Sequence, residues 1–206
     1  MTADENIQKE QPSENEKDSW QKSVLLYLHD LVYMLCAIML VFLLLFRMVI
    51  VSGSSMYDTL RDGDWLILIS NVFYQEPESG DIIVASKDSF NDGEAIVKRV
   101  IATEGQIVDI DFNTGVVYVD GVALDEPYAY TPTNISEGMT FPLLVRENCV
   151  FAMGDNRNES KDSRHPDIGQ IDKREILGKA IFLMVPGADE HNQREFDRIG
   201  VLTHGR

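Results

Sequence analysis

The sequence predicts an all-β dominated domain behind one N-terminal transmembrane helix. Three observations predict it: an unbroken apolar stretch near the N-terminus, a succession of short β-branched and aromatic runs beyond it, and turn signals between those runs. Residues 31–46 are almost entirely Leu, Val, Ile, Met, Phe and Ala, and after Arg47 the apolar character resumes through Val51. As a helix, residues 31–51 would extend about 30 Å, the depth of a bilayer's hydrocarbon core, with Arg47 placed to snorkel to the interface.

Two other readings of this stretch are weaker. A buried core helix that is apolar on every face would need a larger protein around it. A cleaved leader, for which small Ser52 and Gly53 offer a weak cleavage site, usually has an apolar run of about 7 to 15 residues behind a basic start. Here the run is longer and the preceding tail is acidic. The expectation is an uncleaved anchor over residues 23–51, partnered by the lipid bilayer, after a disordered acidic tail over residues 1–22. Lys17 and Lys22 before the span nearly balance Arg47 and Arg61 after it, so charge alone does not give sidedness.

Residues 52–190 read as the β-rich domain, and residues 191–206 as a C-terminal tail. The runs WLILI from Trp65, DIIVAS from Asp81 and AIVKRVIAT from Ala95 have the composition of strands. IVDIDF and VVYVDG flank Asn113, Thr114 and Gly115, and a second turn at Asp120 and Gly121 leads into VAL, a strong hairpin signal. CVFAM from Cys149 and KAIFLMV from Lys179 add two more strands. The best helical candidate is a short turn from Asp172 to Leu177 closed by Gly178. Residues 74–80 and 128–138 read as surface loops.

The formal net charge of −16 argues against nucleic acid as a partner, because phosphate binding relies on clustered Lys and Arg. The two cysteines, Cys36 in the apolar stretch and Cys149 far beyond it, do not suggest a bridge. No metal or cofactor is expected.

Candidate chemistry lies in three places. The first is SGSSMYDTL, directly after the span, where Gly53 and Ser54 lead to Ser55 and Met56. A serine hydroxyl is a poor nucleophile at neutral pH and needs a base and a donor for the developing oxyanion; without them this is only a loop. The second is Lys98, which strand alternation places on one face with Ile96 and Val100, while Val97, Arg99 and Ile101 take the other. A lysine among apolar groups loses its proton more easily and can serve as a base in a Ser/Lys pair. On residue type alone, a lysine facing water is commoner. The third is GDNRNESKDSR over residues 154–164, readable either as a solvated charged loop or as a charge-paired scaffold.

Taken together, these elements resemble the bacterial type I signal peptidase family, in order and in spacing. SGSSMYDTL resembles the nucleophile motif, GDIIV with IVKRVIATEG the general-base motifs, and MGDNRNESKDSR the signature loop, followed by a matching GQIDKREILGKAIF. The resemblance spans residues 49–186 and implies a signal-peptidase-like antiparallel β fold. It implies Ser55 as nucleophile, Lys98 as general base and Ser160 as the group that orients Lys98 by a hydrogen bond. Arg99 with Asp155, and Asp162 with Arg164, would be ion pairs supporting the signature loop, and Met56 would help shape the substrate cleft.

Two positions depart from the family's common pattern. Asp58 replaces a proline after the serine and methionine, which removes a fixed φ and predicts a slightly looser turn. Gly53 stands where some members carry an oxyanion-hole serine, leaving that role to the Ser55 backbone N–H, helped by the Ser54 side chain. The implied activity is removal of N-terminal signal peptides, with small residues at the cleavage site, from exported preproteins. The implied topology is a single-pass cell-membrane protein with its catalytic domain on the extracytoplasmic side. Two rival classes remain: a self-cleaving repressor-type protease, disfavoured by the span and the lack of a DNA-binding helix pair, and a membrane-tethered β-domain that only binds peptides.

Overall fold

The structure, a computed structural model, describes residues 14–87, 93–188 and 193–203, with side chains from Trp20 onward. The chain divides into two units, residues 1–43 and residues 44–206.

The first unit is the helix α1, which runs Glu14–Leu45 and enters the second unit with its last residues. Its stretch Trp20–Leu45, 26 residues, is long and apolar enough to cross a membrane. Side chains such as Leu25, Tyr27, Met39 and Leu43 are exposed all around it, as expected of a helix whose solvent is lipid. The expected span over residues 23–51 is therefore corrected at its C-terminal end. The helix stops at Leu45, and Phe46–Ile50 forms a strand, β1. The reason is backbone pairing: β1 lies antiparallel to β2 (Trp65–Ser70) from Phe46 opposite Ile69 to Ile50 opposite Trp65. Val49 and Val51 then pack into the protein core. The expected disordered tail over residues 1–22 lies partly outside the described residues, and from Glu14 the chain is helical.

The second unit holds two antiparallel sheets. Its remaining strands are β3 (Ile82–Ser86), β4 (Ala95–Thr103), β5 (Ile107–Asp111), β6 (Val116–Val119), β7 (Val122–Ala123), β8 (Leu143–Leu144), β9 (Cys149–Met153), β10 (Ile171–Asp172), β11 (Ile176–Val185) and β12 (Gly200–Val201). The large sheet follows the order β1-β2-β11-β3-β4-β9-β10, with β12 on β11; the small one follows β7-β6-β5-β8. The predicted hairpin is there: Asp120 and Gly121 both have positive φ, 54° and 78°, and connect Val119 to its partner Val122. That is the backbone a two-residue hairpin turn demands.

The turn expected over Asp172 to Leu177 is shorter than predicted. It is a 3-10 helix over Lys173–Glu175, closed by a capping box in which the Asp172 side chain accepts from Arg174 N–H and Glu175 accepts from Asp172 N–H. Ile176 already belongs to β11, and Gly178 lies inside that strand, where a Cβ would come within 2.2 Å of Ile69 O. The expected tail over residues 191–206 is also corrected within residues 193–203, where a 3-10 helix (Phe196–Arg198) and β12 dock on the domain.

Three apolar clusters form the core. One, around Val51, Met56, Leu60, Leu66, Leu68 and Leu183, lies against the segment between β1 and β2. Another, around Ile83, Ile96, Val100, Val150 and Ile176, fills the large sheet. The third joins Ile101, Phe151 and Met153 to Val108, Ile110 and Val117 of the small sheet. β4 contributes to all three, because it is buried on both faces from Ile96 through Ala102. A charged residue placed in β4 is therefore removed from water whichever way it points.

Candidate active site

Lys98 is such a residue. Only 4% of its surface is exposed, and its Nζ lies 2.7 Å from Ser55 Oγ and 3.0 Å from Val97 O. Burial, the largest influence, disfavours the ammonium and pushes the Lys98 pKa from its ordinary 10.5 to about 8. Asp162, Asp155 and Glu137 oppose that shift, and Arg164 assists it. A hydroxyl thus lies within hydrogen-bond reach of an amine that gives up its proton near neutral pH, the geometry and the basicity that a Ser/Lys pair needs.

Ser55 is half-buried in the loop that joins β1 to β2. Short-range bonds fold this loop: Tyr57 N–H donates to Ser54 O, and Leu60 N–H to Met56 O. Gly53, with φ of 85°, donates its N–H to Asp62 Oδ1 at 2.8 Å. The Ser55 N–H has no acceptor among the described residues, and Ser54 is exposed. Met56 is corrected from its expected place in the cleft. It is 1% exposed and packs with Val51, Leu60 and Leu66, because its long apolar chain fills the core beneath the loop. Asp58, where proline was the common pattern, accepts from Arg61 Nη2 at 3.0 Å.

The signature loop is not a solvated charged loop. Asp155, Arg157, Ser160, Asp162 and Arg164 are all buried. Arg99 grips Asp155 with two hydrogen bonds, Nε to Oδ1 at 2.9 Å and Nη2 to Oδ2 at 2.7 Å, and its guanidinium lies 4.0 Å from the centre of the Tyr128 ring. Arg164 grips Asp162 in the same way, Nε to Oδ1 and Nη2 to Oδ2, both at 2.8 Å. Forked pairs of this kind satisfy both charges where water cannot.

Ser160 departs from expectation. Its hydroxyl donates to Asp162 Oδ2 at 2.8 Å, and among the described residues Lys98 Nζ bonds to Ser55 Oγ and Val97 O, not to Ser160. Ser160 gives its single proton to the charged Asp162 carboxylate, and Lys98 Nζ directs its own hydrogen bonds to Ser55 Oγ and Val97 O.

Several residues that matter here were not singled out by the sequence. Asn156 ties the signature loop to the loop that carries Ser55, its N–H donating to Ser55 O at 3.0 Å and its Nδ2 to Ser54 O at 3.2 Å. Thr59 Oγ1 donates to Asp155 Oδ2 at 2.6 Å. Arg157 is buried against Glu126, Thr133 and Gly154 O. Gly154 is where the two loops come closest: a Cβ there would lie 2.1 Å from Ser160 Oγ and 2.4 Å from Ser55 O. The GD of the signature motif was the available signal for Gly154, since a glycine at a strand end often marks close backbone approach.

Residues 24–185 match the model of one family, described as signal peptidase, peptidase S26. The chain belongs to that family. Among curated members it is similar to the signal peptidase I of Bacillus licheniformis, with 32% identity over 191 residues, 86% of this chain and 95% of the relative. It is likewise similar to the probable signal peptidase I-1 of a Synechocystis strain, with 36% identity over 146 residues, 67% of this chain and 70% of the relative. Among solved structures, a signal peptidase I from Enterococcus faecalis V583 matches with a TM-score of 0.41 and 28% identity, over 50% of this chain and 96% of that one.

Proposed function

We propose that this chain is a type I signal peptidase, a membrane-anchored serine endopeptidase in which Ser55 is the nucleophile and Lys98 the general base. The observation that carries the reading is the 2.7 Å separation of Ser55 Oγ from a Lys98 Nζ whose pKa burial has brought to about 8. Family membership supplies the reaction, cleavage of a signal peptide from a preprotein.

In the first step neutral Lys98 takes the Ser55 proton as Oγ attacks the scissile carbonyl carbon. The tetrahedral oxyanion is received by the Ser55 N–H and the Ser54 hydroxyl. The Lys98 ammonium then gives its proton to the leaving nitrogen, the C–N bond breaks, and the signal peptide remains as an ester on Ser55. Water, deprotonated by the again-neutral Lys98, attacks the ester, and Ser55 Oγ leaves and recovers the proton. No metal or cofactor enters this scheme.

The substrate is an extended peptide that pairs with strand edges and offers small side chains on alternate positions. The helix Trp20–Leu45 is a single-pass anchor in the cell membrane, with the catalytic domain on the extracytoplasmic side. Tethering to the surface where preproteins emerge raises the local concentration of substrate. The test is processing of a preprotein with an Ala-x-Ala cleavage site: Ser55→Ala and Lys98→Ala each abolish it, and full activity in either variant removes the dyad. Trapping by a serine-directed lactam separates an enzyme from a peptide binder, since only the enzyme acylates.

A further inference from the structure

Residues 193–203 return to the catalytic domain and end on the loop that carries Ser55. β12 pairs with β11, Leu202 N–H donates to Ile181 O at 2.9 Å, and the Leu202 side chain packs on the cluster that contains Met56 and Leu60. From this docked segment Arg198 reaches Asp64, which is fully buried at the end of the nucleophile loop. Arg198 Nη2 donates to Asp64 Oδ2 at 2.7 Å and Nη1 to Asp64 Oδ1 at 3.0 Å. Nη2 also reaches Thr59 O at 3.3 Å. Arg61 Nη1 pairs with Glu195 Oε1 at 2.9 Å, a second link between the same two segments.

Asp64 closes the base of the loop. Its carboxylate accepts N–H groups from Arg61 at 2.8 Å and Gly187 at 2.7 Å, while its own carbonyl accepts the Val51 N–H at 2.8 Å. Thr59, the other residue under Arg198, donates to Asp155, the partner of Arg99 in β4, one residue from Lys98. The nucleophile side of the loop is held by Asn156 and the far side by Arg198. The segment over residues 51–64 that joins β1 to β2 has no strand ladder of its own, so such bonds set the loop's position.

We propose that Arg198 is a positioning residue for the dyad: residues 193–203 strap the nucleophile loop to the large sheet, and Arg198, bridging Asp64 and Thr59 O, sets where Ser55 Oγ falls relative to Lys98 Nζ. The inference rests on the function proposed above. A misplacement of about 1 Å in a reacting pair is enough to lower a rate by about two orders of magnitude. Arg198 also borders an open cleft of about 410 Å³, lined in addition by Thr59, Arg61 and Glu195, through which a small cation can reach the vacated position in a truncated variant.

The test uses the full chain in detergent and a preprotein with an Ala-x-Ala cleavage site. In Arg198→Ala, kcat falls by about 10- to 100-fold while KM stays within about twofold. Circular dichroism shows the variant folded, and guanidinium chloride at non-denaturing concentration restores part of kcat where equal potassium chloride does not. Arg198→Lys keeps a cation beside Asp64 but does not span to Thr59 O as well, and it gives an intermediate kcat. Wild-type kcat in folded Arg198→Ala overturns the proposal. A loss confined to KM, or one that follows the unfolded fraction without recovery in guanidinium, overturns it too. If Arg198→Ala does not fold, Arg198→Lys decides, a reduced kcat supporting the strap and a wild-type kcat refuting it. A wild-type chain that cleaves no preprotein sinks the functional proposal instead, whereas wild-type cleavage with Arg198→Ala unimpaired sinks only the strap.

Discussion

The perturbation that tests the dyad most directly is pH, because the fold has moved the proton inventory of Lys98 into the working range. With a Lys98 pKa of about 8, about one tenth of the molecules carry neutral amine at pH 7, against about three in ten thousand at an unshifted 10.5, a gain of about 300-fold. Between pH 6 and pH 9 the neutral fraction rises from about 1% to about 90%, so kcat/KM for a preprotein rises about 90-fold with a midpoint near 8. Burial and neighbouring carboxylates push the Tyr74 and Tyr128 hydroxyls upward, away from that interval. The assay is kcat/KM from pH 6 to pH 10 in detergent, with circular dichroism at each end to show that the chain stays folded. A profile flat across this range, or a midpoint at 10 or above, refutes the claim that desolvation makes Lys98 the base.

The same shift has a consequence for stability. Because the folded Lys98 pKa lies below 10.5, the unfolded chain binds more protons between pH 8 and 10.5 and stability rises with pH across that window. Below about 8 the full penalty of about 3 kcal/mol is present. Lys98→Met removes it, so the variant unfolds at higher urea than wild type at pH 6 and loses that advantage above pH 10.5. Gly154→Ala drives a methyl group into Ser160 and Ser55 O; it lowers stability by about 1 to 3 kcal/mol in urea titration and reduces processing at least as much as it reduces stability. Arg164→Met leaves Asp162 buried without its cation, costs about 3 to 5 kcal/mol in urea, and moves the acid limb of kcat/KM to higher pH, since Lys98 becomes the cation left to Asp162.

The strands of the second unit were legible where the sequence carries period-two or β-branched runs bounded by turns, as in residues 95–103 and at the Asp120–Gly121 hairpin. β1 was not, because lipid and a protein core select the same residues. Apart from Arg47, Phe46–Ile50 is as apolar as the end of the helix before it, and its pairing with β2 sets it apart. The tail failed for a related reason: β12 is two residues long, and its place depends on β11 and on an ion pair between Arg198 and Asp64, positions 134 residues apart. Alternation gave Lys98 its face but not its burial, which follows from β4 being covered on both sides. Its meeting with Ser55, 43 residues away, came from the family resemblance, since no periodicity reports a contact across that separation. The Ser160 expectation failed because the oxygens within reach of Lys98 Nζ, Ser55 Oγ and Val97 O, are set by how the loops fold, which the motif does not report.

The buried charges around the dyad have a common logic. Asp155 and Asp162 both favour the Lys98 ammonium, so carboxylates left unpaired there would hold the proton on the base. Each is instead saturated. Asp155 takes two bonds from Arg99 and one from Thr59, and Asp162 takes Arg164, the Ser160 hydroxyl and the Gly154 N–H. Their charge is spent on these hydrogen-bond donors, and desolvation remains the dominant influence on Lys98. The same bonds fix the loop that holds Ser55 O through Asn156. A signature motif crowded with Arg, Asp and Ser therefore performs two tasks with one set of contacts, keeping Lys98 deprotonable and keeping Ser55 within its reach.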